Sequence, residues 1–375
     1  VAVDARVLGG RGAGRYLANL LAAMAALEAP LRVTLFTLDK SQESLAPRDP
    51  RFEIVNLGST HPALAEQWFI PRQAARRGAH LIHYPDNSGA LFPGLPMVLT
   101  MHDSMWRRPL AQALLYPTWR QRLQDRYRKA VCPRAARAAG RVITVSQFSA
   151  GELRESLGIG EKLEVVLNGL DHQFDRRLTA PAQHRLLKGL GLRRPFVFCS
   201  GAADRRKNIS AFIRAFARSR QKQADLVVSS MRPGEMATTD YAQAASQAGI
   251  SGRVKFLGFV SEDELKALYQ GALAYAFPSL WEGFGLPVLE AFAMDCPVLC
   301  ASAGALPEVA GKGAWMVDPR SEESMARGLD GLLRSRRSVW VARGRRELKR
   351  FSWERSARQT LRIYSQVAQA GKAGL

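Results

Sequence analysis

Apolar and polar positions along the chain alternate between two periods. Short β-branched or apolar runs at Val1–Val3, Arg32–Phe36, Phe52–Val55, Leu81–His83, Met97–Met101 and Val142–Val145 read as buried strands. Between several of them, Tyr16–Leu27 and Leu64–Arg77 repeat apolar residues three and four apart, the period of an amphipathic helix. Strands separated by helices pair in parallel, because a parallel pair needs a crossover long enough to hold a helix. The pattern restarts after the turn Asn168-Gly169-Leu170-Asp171 and the polar segment His172–Arg194. New strands are predicted at Phe196–Ser200, Asp225–Ser229, Arg253–Leu257, Ala274–Phe277, Val298–Ala301 and Ala314–Val317, with helices at Ile209–Ser219, Ser261–Gln270, Pro287–Met294 and Glu322–Arg334. The expectation is an α/β chain of two Rossmann-like domains, residues 1–171 and 172–350.

Composition agrees with that division and narrows the partners. At about 100–200 residues per domain, 375 residues fit two. Hydrophobic residues at 47% and charged residues at 23% exclude a disordered chain. The longest nearly uninterrupted apolar stretch, Leu20–Leu27, is far shorter than the ~18 residues that cross a bilayer. Val1–Asp4 reads at once as a strand, without the basic region and cleavage site of a secretory leader, so a cytoplasmic location is expected. Cys132, Cys199, Cys296 and Cys300 form no Cys-x-x-Cys pair and have no His at ligand spacing, so they are expected as reduced core residues. The balance of 54 Lys plus Arg against 33 Asp plus Glu leaves +21, which favours nucleic acid, an anionic membrane or phosphorylated ligands. No helix-turn-helix, zinc-finger, RRM or KH pattern accompanies the charge, so a nucleic-acid-binding protein is the alternative class and not the main expectation.

Open parallel sheets bind ligands at the carboxyl ends of their strands, and two such domains are expected to face each other across a cleft. The strand-to-helix loops are therefore where chemistry is expected. Gly9-Gly10-Arg11-Gly12-Ala13-Gly14 opens directly into a helix and would let backbone N–H groups approach an anion. Arg205-Arg206-Lys207 precedes another helix, where three cations oppose the helix dipole unless an anion such as a diphosphate is present. Met97–Met101 delivers His102-Asp103 at a strand end. The run Trp281-Glu282-Gly283-Phe284-Gly285-Leu286-Pro287-Val288-Leu289-Glu290 reads as a loop, Pro in the first helical turn, then helix. Its two carboxylates are eight residues apart. Glu282 is placed to meet a ligand's hydroxyls, and Glu290 points back toward the helix N-terminus, whose Gly285 and Leu286 amides can bind phosphate.

This run resembles the E-x7-E signature of the retaining glycosyltransferases of family 4, which have the GT-B fold. Further matches follow in order: Gly14-Arg15-Tyr16, Thr100-Met101-His102-Asp103, Thr144-Val145-Ser146-Gln147-Phe148-Ser149, Asn168-Gly169-Leu170-Asp171, Arg206-Lys207-Asn208, Gly258-Phe259-Val260 and Phe351-Ser352-Trp353-Glu354. The resemblance implies transfer of a sugar from a nucleotide-sugar donor, with net retention, no cofactor and no required metal. It assigns Glu290 to the ribose hydroxyls, Glu282 to the donor sugar, and the Gly283, Phe284, Gly285 and Leu286 backbone with Lys207 to the diphosphate. It also assigns His102 to the reaction centre and Gly14 to close approach of acceptor and donor phosphate. The absence of an Asp-x-Asp metal motif fits. One departure stands out: many relatives carry Arg where this chain has Ala202, so Arg206 or Arg205 must supply the second cation. The subgroup with Arg-Lys-Asn and the closing Phe-Ser-Trp-Glu resembles bacterial mannosyl- and rhamnosyltransferases of lipopolysaccharide and surface-polysaccharide assembly. That points to a GDP-mannose-like donor and a polyprenyl-diphosphate-linked glycan acceptor.

Residues Arg107–Arg137 carry nine Lys or Arg against Asp125 alone, interleaved with Leu110, Leu114, Leu115, Tyr116, Trp119, Leu123, Tyr127 and Val131. Cations mixed with aromatic and aliphatic anchors at helical spacing suit a helix lying on an anionic bilayer, here the inner face of the cytoplasmic membrane. A second basic run, Arg334–Arg350, precedes a last helix, 351–375, which in relatives crosses back to the first domain and gives Trp353 a packing role. Alternatives are a UDP-sugar-dependent transferase with another acceptor, or a GT-B epimerase or phosphorylase. The last would need a pyridoxal-phosphate lysine site and a longer chain.

Overall fold

A computed structural model describes residues 1–10, 12–108, 118–201, 204–229 and 240–373. The chain forms two units, one of Val1–Arg108, Thr118–Gly169 and Phe351–Leu375, the other containing Leu170–Arg350. The first holds seven strands: β1 Ala2–Asp4, β2 Val33–Thr37, β3 Phe52–Asn56, β4 Ile82–Tyr84, β5 Met97–Met101, β6 Arg141–Thr144 and β7 Leu163–Val165. Their order is β3-β2-β1-β4-β5-β6-β7, and every pairing is parallel. The second holds β8 Phe196–Ser200, β9 Asp225–Ser229, β10 Val254–Phe256, β11 Ala274–Phe277, β12 Val298–Ala301 and β13 Ala314–Val317, ordered β10-β9-β8-β11-β12-β13 and again all parallel.

The central strands of both sheets are buried on two faces, which is why they read as apolar runs and not as alternating ones. All five residues of β5 and of β9 are buried. Ile82, Tyr84, Leu99 and Val142 sit in the core of the first unit, and Val197, Phe212, Leu226 and Leu299 in that of the second. In each sheet the strand order reverses once, between β1 and β4 and between β8 and β11. The loops leaving the carboxyl ends at such a switch point diverge to opposite faces and open a crevice, so ligand chemistry belongs there.

The strand β7 was not expected from the sequence, nor was the helix Ala180–Gly189 inside the polar segment 172–194. The helix expected over Leu64–Arg77 is interrupted by a π-helical turn, Ala65–Phe69, which carries Glu66 buried and Trp68 exposed. The last helix, Trp353–Ala373, belongs to the first unit. There Trp353 is buried, and its backbone N lies 2.3 Å from where a Cβ on Gly169 would stand, so only glycine fits in that turn. All four cysteines are buried thiols, and burial pushes those of Cys132 and Cys296 up to about 12. Among the described residues, no helix is long and apolar enough to cross a membrane.

Candidate active site

In the second unit, β8 runs into a loop that is described at Gly201 and again from Asp204. That residue caps a single 3-10 turn, Arg205–Lys207, by accepting from the Arg206 N–H at 2.9 Å. The turn ends on Asn208, which has φ 57°, a left-handed conformation that Asn tolerates better than other side chains. Its side-chain amide donates to Pro278 O at 3.2 Å and Pro319 O at 2.7 Å, tying the loop after β8 to those after β11 and β13. Leu280 N donates to Arg206 O at 2.7 Å, a second tie between the two switch loops.

These ties place the Lys207 ammonium 2.7 Å from Glu282 Oε1 and 5.0 Å above the Phe277 ring. The Glu282 backbone is fixed in turn: its carbonyl accepts from Ala305 N at 3.0 Å, and Gly304, at φ +60°, passes so close that a Cβ would stand 2.7 Å from that carbonyl. Gly285 has φ 118° and caps the helix Leu286–Ala293, with Pro287 in the first turn. The pair Lys207–Glu282 and the start of this helix thus lie on the two loops that flank the β8/β11 switch. Glu290, on the second turn of that helix, is buried, and its Oε2 accepts from Tyr269 Oη at 2.9 Å. Tyr269 packs edge-on to Phe198 and Tyr275, and Tyr275 Oη meets Ser200 Oγ at 2.6 Å.

In the first unit, β5 delivers His102. Its backbone N–H donates to Asn87 Oδ1 at 2.8 Å, its ring Nε2 meets Pro85 O at 2.8 Å, and the ring stands edge-on to Tyr16 with centroids 4.8 Å apart. Asn87 also donates to Asp103 Oδ1 at 3.1 Å. His102 thus ends on the loops that flank the β1/β4 switch, because Tyr16 belongs to the helix Gly12–Ala26 that follows β1.

Two family models match in series. The model described as Glycosyltransferase Family 4 matches residues 10–174, and the one described as Glycosyl transferases group 1 matches residues 186–347. The chain belongs to glycosyltransferase family 4. Two curated relatives are similar in sequence. The O-antigen chain mannosyltransferase B of Escherichia coli is 27% identical over 66% of this chain and 66% of its own length. The MMP alpha-(1->4)-mannosyltransferase of Mycolicibacterium hassiacum is 31% identical over 73% of this chain and 66% of its own. Each match therefore spans just under two thirds of the relative. Among solved structures, that of Anabaena Alr3699/HepE in complex with UDP and glucose superposes with a TM-score of 0.75 at 20% identity, over 97% of this chain and 98% of the other. That likeness is one of fold, in the GT-B class expected from the sequence.

The geometry refines three of the residue assignments in this glycosyltransferase. The Arg206 guanidinium chelates Asp204, with contacts of 3.1, 3.1 and 2.5 Å, so a carboxylate offsets its charge toward any diphosphate. Gly14 lies inside the first helix, where a Cβ would stand 2.4 Å from Val7 O, so its missing side chain serves helix-to-loop packing. Glu290 is held by Tyr269, a residue that sequence reasoning missed because a Tyr on the buried face of a helix reads as core. Tyr275 was missed for the same reason. Arg11, Ala202 and Ala203 lie outside the described residues.

Proposed function

We propose that this glycosyltransferase moves a hexosyl group of mannose or rhamnose type from a nucleoside-diphosphate sugar, GDP-linked, to a lipid-linked glycan acceptor in surface-polysaccharide synthesis. The E. coli relative, an O-antigen chain mannosyltransferase, supports the sugar and the process. One observation carries the donor side: Lys207 and the N-terminus of the helix Leu286–Ala293 stand on adjacent switch-point loops, with Glu282 between them in sequence and paired to Lys207. A cation and helix-end amides on one crevice suit a diphosphate.

In the reaction, the bond from the sugar C1 to the diphosphate oxygen breaks, and an acceptor hydroxyl oxygen bonds to C1. With net retention, the new bond forms on the face the diphosphate leaves, so the departing phosphate oxygen takes the hydroxyl proton. Negative charge grows on the diphosphate as the bond breaks. Lys207 and the Gly285 and Leu286 amides are the preorganised groups that meet it, without a required metal in this reading. Glu282 is assigned to the donor sugar, Glu290 to the ribose hydroxyls and His102 to the reacting sugar. Arg206 is assigned a supporting part, since Asp204 offsets its charge.

Calorimetric titration with GDP, UDP and ADP in the presence of EDTA tests the donor side. GDP is expected to bind in the micromolar range, and Glu290→Ala to lose that binding. Preference for UDP would replace the donor base, and no binding by any of the three would overturn the donor site. Anomeric configuration of the product, read by NMR, tests retention.

The same reading places the protein on the cytoplasmic face of the membrane. The helix Trp119–Ala138 begins with a capping box from Thr118 and Gln121. Its second half buries Val131, Cys132, Ala135 and Ala136, whereas its first half exposes Trp119 and Leu123, one turn apart, beside Arg120, Arg122 and Arg126. An exposed Trp and Leu among arginines fit the headgroup zone of an anionic bilayer, where each cation contributes about 1 kcal/mol. Trp68, exposed and covered by Arg72 at 4.7 Å, repeats this pairing in the same unit. The anchors expected at Leu110, Leu114, Leu115 and Tyr116 lie outside the described residues.

A further inference from the structure

A line of four buried polar side chains runs through the first unit and ends against His102. Tyr364 Oη lies 2.7 Å from His83 Nδ1, and His83 Nε2 lies 2.8 Å from Thr100 Oγ1. Thr100 Oγ1 lies 3.2 Å from Tyr16 Oη. Tyr16, His83, Thr100 and Tyr364 are all at most 4% exposed. They come from four elements: the last helix, β4, β5 and the helix after β1.

Apolar residues of similar shape would pack in these places without the cost of removing four polar groups from water. Once buried, such a chain is stable only when every hydrogen bond is made, so it selects one arrangement of the elements that carry it. Burial pushes the His83 imidazole down to about 3, so the ring stays neutral, one nitrogen donating and the other accepting. The hydroxyls on either side can take both parts. Thr100 also precedes His102 by two residues, on the strand that ends just before it, and the Tyr16 ring is the edge-on neighbour of His102 at 4.8 Å. With Pro85 O holding the His102 Nε2 atom, the imidazole has a fixed point on its polar side and a wall at its ring.

We infer that the chain Tyr364–His83–Thr100–Tyr16 positions the His102 ring for glycosyl transfer, making His83, Thr100 and Tyr364 positioning residues for this reaction. The inference rests on the assignment of His102 to the reacting sugar. It also gives the last helix a part in the chemistry of the first unit, through the Tyr364 hydroxyl.

Thr100→Val removes the hydroxyl shared by two of the hydrogen bonds and keeps the shape. The expected result is a fall in kcat of about ten-fold with a donor KM within two-fold of wild type, since ring misplacement acts on the reaction and not on the donor loops. Thr100→Ser should restore kcat, and the His102 imidazole resonance, assigned with His102→Gln, should shift in Thr100→Val and return in Thr100→Ser. Should Thr100→Val not fold, Tyr364→Phe gives the same readings at the far end of the chain. A folded Thr100→Val with wild-type kcat and an unmoved His102 resonance would overturn the inference. Full activity of His102→Gln would instead remove the assignment on which it rests. An impaired His102→Gln beside an unimpaired Thr100→Val overturns only the positioning chain.

Discussion

Asn208 offers the sharpest test of how the donor loops are built. Its side-chain amide makes the bonds to Pro278 O and Pro319 O, and its backbone holds φ 57° between the 3-10 turn and the helix Ile209–Arg218. Asn208→Ala removes both bonds, at about 1 kcal/mol each, and places a Cβ without a polar tip in left-handed backbone, at roughly 1 kcal/mol more. The total is about 3 kcal/mol. Asn208→Gly loses the same bonds but accepts the backbone, so it should be the more stable of the two by roughly 1 kcal/mol. The substitution releases the turn that presents Lys207, so nucleotide affinity should fall about ten-fold in the Ala variant and less in Gly. Urea unfolding gives the global difference, and hydrogen exchange of the amides in Ile209–Arg218 isolates the local one. Equal stability of Ala and Gly, or both within about 0.5 kcal/mol of wild type, would refute the account of this turn.

Further expectations follow from the other residues. Lys207→Ala should lower kcat by roughly 10²-fold if the ammonium meets charge that develops on the diphosphate, and steady-state kinetics on a folded variant checks it. Gly14→Ala forces a Cβ to 2.4 Å from Val7 O and should lower stability by about 1–3 kcal/mol, measurable by thermal unfolding. His83 is held below its ordinary 6.5, at about 3, so the unfolded chain binds a proton that the folded one refuses between those values. Stability should therefore decline as pH falls from about 6.5 toward 3, and the stability gap between wild type and His83→Gln should narrow from pH 7.5 to pH 5. A constant gap across that range would count against a neutral buried ring. Trp119→Ser combined with Leu123→Ser should weaken sedimentation with anionic vesicles while leaving nucleotide affinity unchanged.

The apolar strands and the restart after Asn168 were legible because the central strands of both sheets are buried on two faces, which leaves short, nearly continuous apolar runs such as Met97–Met101 and Phe196–Cys199. β7 was not, since Leu163-Glu164-Val165 is too short and carries a charge. Helix Ala180–Gly189 escaped because no residue of it is buried, so no apolar stripe marks it. In the site, Glu282, Lys207 and the Gly285 cap were visible from residue type and spacing, because each lies on a loop beside a strand end. The Asp204 hold on Arg206 was hidden by its ordinary sequence, and the bond from Tyr269 to Glu290 crosses 21 positions that no local pattern connects. The π-helical turn was hidden likewise: Glu66 is buried because Arg6, Ser88 and Tyr127, from three distant stretches, surround its carboxylate.

The membership of Phe351–Leu375 in the first unit has a consequence for how the protein is made. Residues 170–350 form a continuous stretch that can complete its sheet as it leaves the ribosome. The first unit cannot, because Ser356 Oγ donates to Leu167 O, Tyr364 meets His83, and Gly140 lies against Val367. Until residues 351–373 are made, the sheet of the first unit therefore waits with an uncovered apolar face and with His83 Nδ1 lacking its Tyr364 partner, although its strands are translated earlier. A later stretch of the chain closes an earlier one, so a nascent chain stalled after residue 350 would present a finished second unit and a first unit open to chaperones and proteases.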